Sequence, residues 1–523
     1  MIYFSVMRKK LASVLKAIAQ IITALLAAGF IIVGTILVYM YARGYRLDFD
    51  GKDIRETGVV NLESKPTRAE ITINGEKNGK TPKTVASIDE GYAQVKLKKE
   101  KYYDWIKNVP VIREKSTPVT ANMFLKEPAT EVLVEIPKEY TFVKGQVSEN
   151  RQHILYITKD KKNIYTIWRY DLNKSFWNLS NNPHIITTIE DPAVQNLTMI
   201  PSPGASNLLL HYSFTQSDIT KTKVLLFNTE QVDTDGQLLN LEKFLGTYSI
   251  TWAKSGSYII LESVNDVLSY NIESTAKSLL YKKAETENLV WTTDTSLNFY
   301  YLQKLSDNTG NYFTLEQLNL DGTNAKTLIP RIYYQTDKAY IENIRKTEFT
   351  FIPFSNTPQN TRFIGEISAI SIDQTTKGIY ISTEYAAYWY GTEEDKYIMI
   401  NPYPSQLISI SDNKRMALFK DLTNGYYGIF TFDKTQSDPV TLLGTKIVIK
   451  DEKEVTNVNW VNSANLSYQS EGSVYIMDKD GDNKVMMKTL TSPIYFSLST
   501  SGKYIHTLES ITNQTKVVKY TIQ

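Results

Sequence analysis

The chain has 523 residues, 42% hydrophobic and 22% charged, with 58 basic against 56 acidic side chains. This length exceeds one ordinary core and predicts two to four units of globular rather than disordered composition. A formal charge of +2 argues against a general nucleic-acid binder, and the lack of cysteine excludes disulfide frameworks, thiolate zinc sites, iron–sulfur clusters and cysteine nucleophiles.

Residues 17–42 form an uncharged run of 26 residues. As a helix it would be about 39 Å long, enough to cross a hydrocarbon core of roughly 30 Å. Tyr39 and Tyr41 stand near one end, where aromatic rings favour the interface. Arg8, Lys9, Lys10 and Lys16 precede the run, whereas Arg43 and Arg46 are soon followed by Asp48, Asp50 and Asp53. The positive-inside rule then predicts a cytoplasmic tail (1–16) and a single-pass anchor in the cytoplasmic membrane (17–42). A linker (43–56) would lead to an extracytoplasmic remainder. The run is longer than the apolar core of a cleaved signal peptide, which favours an uncleaved signal anchor contacting the lipid bilayer.

Beyond residue 57 the pattern alternates: GVVNLE over 58–63, AEITIN over 69–74, and AQVKLK over 93–98. Asn74-Gly75 supplies a two-residue hairpin turn. Short strands over 57–126 predict a small β-sandwich. The series Ser64-Lys-Pro66-Thr-Arg-Ala69, Ile71-Thr-Ile73-Asn-Gly75 and Gly79-Lys-Thr81-Pro82 resembles the PEGA domain, whose pattern runs S-x-P-x-G-A, a strand into a glycine turn, then G-x-T-P. The resemblance implies an envelope module of bacterial type that acts as a spacer or binder, not a catalyst. Arg68 stands where that family has glycine, so the turn there is expected to avoid positive φ.

Gly75 to Thr81 superficially resembles a phosphate loop, but three residues separate its glycines where Walker A needs four, and Pro82 follows where a helix should begin. Residues 96–107 interleave lysines with Tyr102, Tyr103 and Trp105. They read as a lysine-guarded strand edge or as a contact patch for an anionic polymer or headgroups.

From residue 131 to 523 one phrase recurs: an apolar anchor, polar turn residues, then an apolar run. Anchors at Val147, Ile200, Trp252, Trp291, Ile372, Ile410, Trp460 and Leu498 lie 53, 52, 39, 81, 38, 50 and 38 residues apart. Four short strands per period of 40–50 residues are the signature of a β-propeller. The phrase is similar to the TolB-like and WD-repeat-like propellers, with Ser202-Pro203-Gly204 and Ser501-Gly502 as worn copies. The EVLVEI run at 131–136 is expected to join the last blade and seal the ring, and an irregular insert falls at about 332–363. The expected class is therefore all-β with one N-terminal transmembrane helix, a small PEGA-like sandwich and a seven- or eight-bladed propeller.

Asp478-Lys-Asp480-Gly-Asp482 starts like a calcium loop, but Asn483 and Thr489 occupy the positions that need Gly and Glu, so a type I′ turn is expected and no metal site. No cofactor is expected. The histidines His153, His211 and His506 fall in or beside predicted second strands and read as packed residues rather than bases. Tyr388, Trp389 and Tyr390 form the densest aromatic cluster, a candidate stacking platform for a glycan or an interface anchor. Successive strand residues point to opposite faces, so at least one of the three is expected to be exposed. These residues support a cell-surface binding or scaffold protein with a protein or envelope-glycan ligand and no nucleic acid. The alternatives are a propeller hydrolase or lyase acting on envelope glycans, which needs a converging acid pair, and an accessory subunit of an envelope assembly or secretion complex.

Overall fold

A computed structural model of the chain describes residues 2–523 except 43–44, 49–52, 173–182, 218, 232–235, 240, 242–243, 285–286, 309, 336–341, 343–344, 346–350, 354–362, 374–377, 392–395, 433–443, 451, 490–492, 500 and 512–513. The described residues form two compact units, 2–123 and 124–523.

The first unit opens with one helix, Ile2–Ala42. It contains neither proline nor an acidic residue, and its segment Gln20–Tyr41 is long and apolar enough to cross a membrane. The helix includes the stretch read above as a tail, and the stretch read as a linker holds the strand Tyr45–Asp48 and the start of Asp53–Lys65. Two four-stranded sheets follow and make a sandwich. One contains Tyr45–Asp48, Asp53–Lys65, Lys83–Asp89 and Ser116–Asn122; the other contains Glu70–Ile73, Glu76–Lys80, Gly91–Lys98 and Trp105–Val111. Alternate residues from both sheets, Val60, Leu62, Ile71, Ile73, Val95, Leu97 and Val109 among them, bury a single core.

Asn74 and Gly75 both take positive φ (48° and 89°), as the tight turn between Ile73 and Glu76 requires. The phosphate-loop lookalike is this hairpin. Arg68 corrects the expectation made for it: it holds φ 64°, the conformation its missing glycine would have taken. The surroundings impose it. The Arg68 N–H donates to the Thr81 carbonyl at 2.8 Å, the Ala69 N–H donates to Thr81 Oγ1 at 3.0 Å, and that hydroxyl is bonded to Ser64 Oγ.

The second unit is an eight-bladed β-propeller, with blades over 141–189, 195–238, 249–282, 291–335, 367–401, 405–449, 456–489 and 493–521. Each blade is an antiparallel meander whose first strand lies innermost, and the inner strands Thr141–Val147 and Pro493–Leu498 of blades 1 and 8 meet. Strand Ala129–Glu135 pairs with Gln514–Thr521 and completes blade 8, the closure expected from the EVLVEI run. The insert links outer edges: Phe351–Pro353 adds a strand to blade 6, and Phe363–Ile364 pairs with the outer strand of blade 4.

One turn explains why the units repeat. Between first and second strands, Ser148, Ser202, Ser411 and Ser499 each accept a backbone N–H on the hydroxyl, at 3.0–3.1 Å. Three residues after the position that begins this turn, Arg151, Ala205, Gly256, Leu297, Lys414 and Gly502 all take positive φ. Only two of the six are glycine, which is why the phrase looks worn. In the Ser202-Pro203-Gly204 copy the glycine precedes the left-handed residue, Ala205.

Candidate functional site: the propeller channel and its mouths

The inner strands surround the channel, and their residues decide what it offers. Thr198, Ser249, Thr251, Gln406, Thr456, Asn457 and Asn459 are exposed or half-buried on them. Lys144 and, at the end of its strand, Asp373 are the charged residues these eight strands carry. Hydroxyl and amide groups thus predominate on the described inner strands. Lys144 lies near His211 on the second strand of blade 2; burial, then this cation, lowers the His211 pKa.

The mouth formed by the turns between first and second strands is tied together across blades. The Arg151 guanidinium of blade 1 donates to the Trp460 carbonyl of blade 7 at 2.8 Å and lies in the field of Asp412 of blade 6. Burial lowers its pKa, and Asp412 acts against this. Asn150 Nδ2 donates to the Gly204 carbonyl at 3.0 Å, and the Asn413 N–H donates to Ser463 Oγ at 3.2 Å.

Outside this mouth, blades 1 and 2 are joined by a polar clasp. His153 Nδ1 lies 2.6 Å from Asp171, Arg169 Nε donates to the same oxygen at 2.8 Å, and Arg169 Nη1 donates to Thr229 Oγ1 at 2.9 Å. The hydrogen bond from His153, then those from Arg169, hold the Asp171 carboxyl well below the usual carboxylate range. His153 Nε2 faces Arg169 Nη2 at 3.5 Å, so the ring is engaged at both nitrogens. Two clefts are lined by other residues of the ring. One of about 510 Å³ is lined by Asn207, Phe227, Asn228, Glu230, Gln237 and Glu273. The other, about 270 Å³, holds Tyr140, Tyr156 and Trp168 with Glu135 of the closing strand.

The aromatic candidates chosen from sequence sit elsewhere. Tyr388, Trp389 and Tyr390 are all buried, at 5–6% exposure, which corrects both the platform reading and the expectation of an exposed ring. They do alternate. Tyr388 and Tyr390 pack against Leu302, Phe313 and Leu315 of blade 4, and Trp389 packs against Phe419 and Phe430 of blade 6. The rule fails here because a blade is covered on both faces. Trp389 lies over Gly378, where a Cβ would come within 2.3 Å of its ring. In the module Trp105 is buried in the core, Tyr102 packs against that core, and Tyr103 is half-buried, while Lys96 pairs with Asp104 at 2.9 Å. Trp105 and Tyr102 are therefore packing residues of the module core, and Tyr103 keeps part of its surface.

Asp478-Lys-Asp480-Gly-Asp482 makes a longer turn than expected, with Gly481 and Asn483 at positive φ; the Asp478 carboxylate accepts from Asn465 and Asn483, both at 2.9 Å. Sequence reasoning missed Arg151 and the Arg169–Asp171 clasp. Aligning the recurring turns would have shown a bulky cation in the glycine position at Arg151; nothing in the local pattern marks the clasp.

Residues 57–125 match the family described as PEGA domain. No curated protein matches the sequence. Among solved structures, the WD40 domain of SCAP from fission yeast aligns with a TM-score of 0.40 and 10% identity over 75% of this chain and 98% of that one. Dipeptidyl peptidase 4 of Porphyromonas gingivalis aligns at 0.42 and 11% over 74% and 58%. The β-propeller domain of Cps50 (Swd1) from Myceliophteria thermophila aligns at 0.33 and 8% over 62% and 96%. These likenesses concern the fold alone.

Proposed function

We propose that the protein is a membrane-anchored, extracytoplasmic binding or scaffold protein of a bacterial-type envelope, whose propeller engages a hydroxyl-rich ligand such as an envelope glycan. The observation that carries this reading is the channel surface: inner strands bearing Thr, Ser, Asn and Gln, which donate and accept hydrogen bonds without supplying a general acid and base. The apolar segment Gln20–Tyr41, preceded by Arg8, Lys9, Lys10 and Lys16, supports an anchor with its N-terminus in the cytoplasm. The PEGA match supports an envelope setting for the module.

Two measurements test this. Protease added to intact cells should remove the propeller, and complete protection refutes the topology. Full-length protein in nanodiscs should bind purified envelope glycan without shortening it, and Thr251→Arg with Asn459→Arg should weaken binding at least about tenfold by filling the channel. Glycan cleavage, or undiminished binding by a folded double variant, refutes the reading.

A further inference from the structure

The helix ends at Ala42, and the first strand of the sandwich begins three residues later at Tyr45. Three residues of extended chain span at most about 11 Å. If the helix crosses the bilayer, as proposed above, this end of the module is held at the headgroups.

Several contacts identify which residues lie at that end. Tyr45 is opposite Glu56 in the sheet, and the Glu56 carbonyl accepts the Glu90 N–H at 2.9 Å. Arg113 pairs with the Glu56 carboxylate, and its guanidinium lies 5.9 Å from the Tyr45 ring. Arg55 faces Asp89 at 3.6 Å. Two residues beyond Glu90, Tyr92 is 79% exposed, more open than any other described large apolar side chain of the sandwich. Its strand neighbours Ala93, Val95 and Leu97 turn into the core, so Tyr92 points outward, opposite Pro110. Lys96 and Lys98 share its face but lie at the far end of the strand, where Lys98 is opposite Glu70. Tyr39 and Tyr41, at the helix end, are also exposed.

A phenol ring with an apolar body and a polar tip suits the boundary between headgroups and acyl chains. We propose that Tyr92 and the end of the sandwich around it dock onto the headgroup layer of the bilayer that the helix spans. Tyr39, Tyr41, Tyr45 and Tyr92 then form one aromatic girdle with Arg55 and Arg113 beside it. The lysine-bearing end of the same face stays in water, which sets this arrangement apart from capture of a soluble anionic polymer by those lysines.

The cysteine-free chain makes the test direct. Single cysteines replace Phe30 in the helix, Gln94 beside Tyr92, and Glu100 in the exposed turn beyond Lys98 at the far end of the strand, each carrying an environment-sensitive fluorophore. Full-length protein is reconstituted into vesicles of phosphatidylcholine and phosphatidylglycerol, with or without nitroxide-labelled lipid. Labels at 30 and 94 should be quenched to less than half their intensity and the label at 100 left unchanged. Adding Tyr92→Ser should remove most of the quenching at 94 and none at 30. An unquenched label at 94, or quenching there that survives Tyr92→Ser, overturns the docking while a quenched label at 30 keeps the spanning helix. An unquenched label at 30 overturns the spanning reading itself. Quenching at 100 equal to that at 94 overturns the assignment of the docking end.

Discussion

His506 lies on the second strand of the closing blade and is 2% exposed, with no hydrogen-bond partner at either ring nitrogen among the described residues. Its cross-strand neighbour is Lys519, which pairs with Glu131 of the closing strand at 2.5 Å. Burial, then the Lys519 cation, pushes the His506 pKa down to about 4, with Glu131 acting in the opposite direction. The ring is therefore neutral in the folded state where the unfolded chain would already take up a proton. Above the ordinary histidine value both states are neutral and pH has no effect through this group. As pH falls from about 6.5 towards about 4 the unfolded state gains protons first, and stability drops by up to about 1.4 kcal/mol per unit, or about 3 kcal/mol in all. With about 2.1 cal/mol/K of unfolding entropy per residue, a ring of this size converts that to a fall in Tm of roughly 3–4 °C. His506→Leu removes the titration and two unsatisfied nitrogens, so it should also raise stability at neutral pH by about 1 kcal/mol. The assay is thermal unfolding of full-length protein in nanodiscs at several pH values, comparing the two proteins at each. Their Tm difference should widen by about 3 °C on acidification. A constant difference between wild type and His506→Leu would refute the reasoning, because carboxylates elsewhere act on both proteins alike.

Arg68→Gly should stabilise the sandwich by about 0.5–1 kcal/mol, since it relieves a left-handed residue at an exposed turn, and Lys414→Gly should do the same for blade 6; chemical denaturation would show both. Gly378→Ala should cost about 1–3 kcal/mol, because the new Cβ would meet the Trp389 ring at 2.3 Å, and a smaller residue at 389 should recover part of the loss. Asp171→Asn should cost about 2 kcal/mol by leaving the buried Arg169 without its anion. Because the Asp171 pKa is lowered in the fold, its stabilisation is present above the unfolded carboxylate value and lost as pH falls, so the variant should show a weaker acid dependence than wild type.

What could be read from sequence follows the physics of each element. The apolar helix and the Asn74-Gly75 hairpin depend on residues adjacent in the chain, so local pattern suffices. The blades were legible because most inner strands end in one recurring turn, serine-capped in four of them, although four of its six left-handed positions lack glycine. The closing strand could be placed because a ring must complete its last blade and the apolar run Val132-Leu133-Val134 between Glu131 and Glu135 reads as a strand. The side-chain assignments failed where they assumed a sheet with one wet face. Tyr388, Trp389 and Tyr390 answer to two neighbouring blades at once. Arg151 and the clasp were invisible because their partners, Trp460 and Thr229, are remote in sequence.

Ring closure connects this stability to the proposed binding role. A chain without cysteine cannot staple its seam, so blade 8 is completed by a strand from the start of the repeat region. That strand is held by its ladder, by the pairs Glu131–Lys519 and Glu135–Lys516, and by Gln514 Nε2 donating to the Ile136 carbonyl at 3.0 Å. Exposed ion pairs of this kind contribute little each, so the seam depends on apolar packing of Val134, Ile136, Ile154, Leu508 and Val517. Acid weakens both sides of it, because the unfolded chain takes up protons at His506 of blade 8 and Asp171 of blade 1 before the fold does. The seam closes the ring, so weakening it loosens the channel whose hydroxyl and amide groups, carried on blades 2, 3, 6 and 7, would hold a ligand. A ligand bound there would in turn strengthen closure by mass action, and affinity and ring stability should therefore fall together as the pH drops.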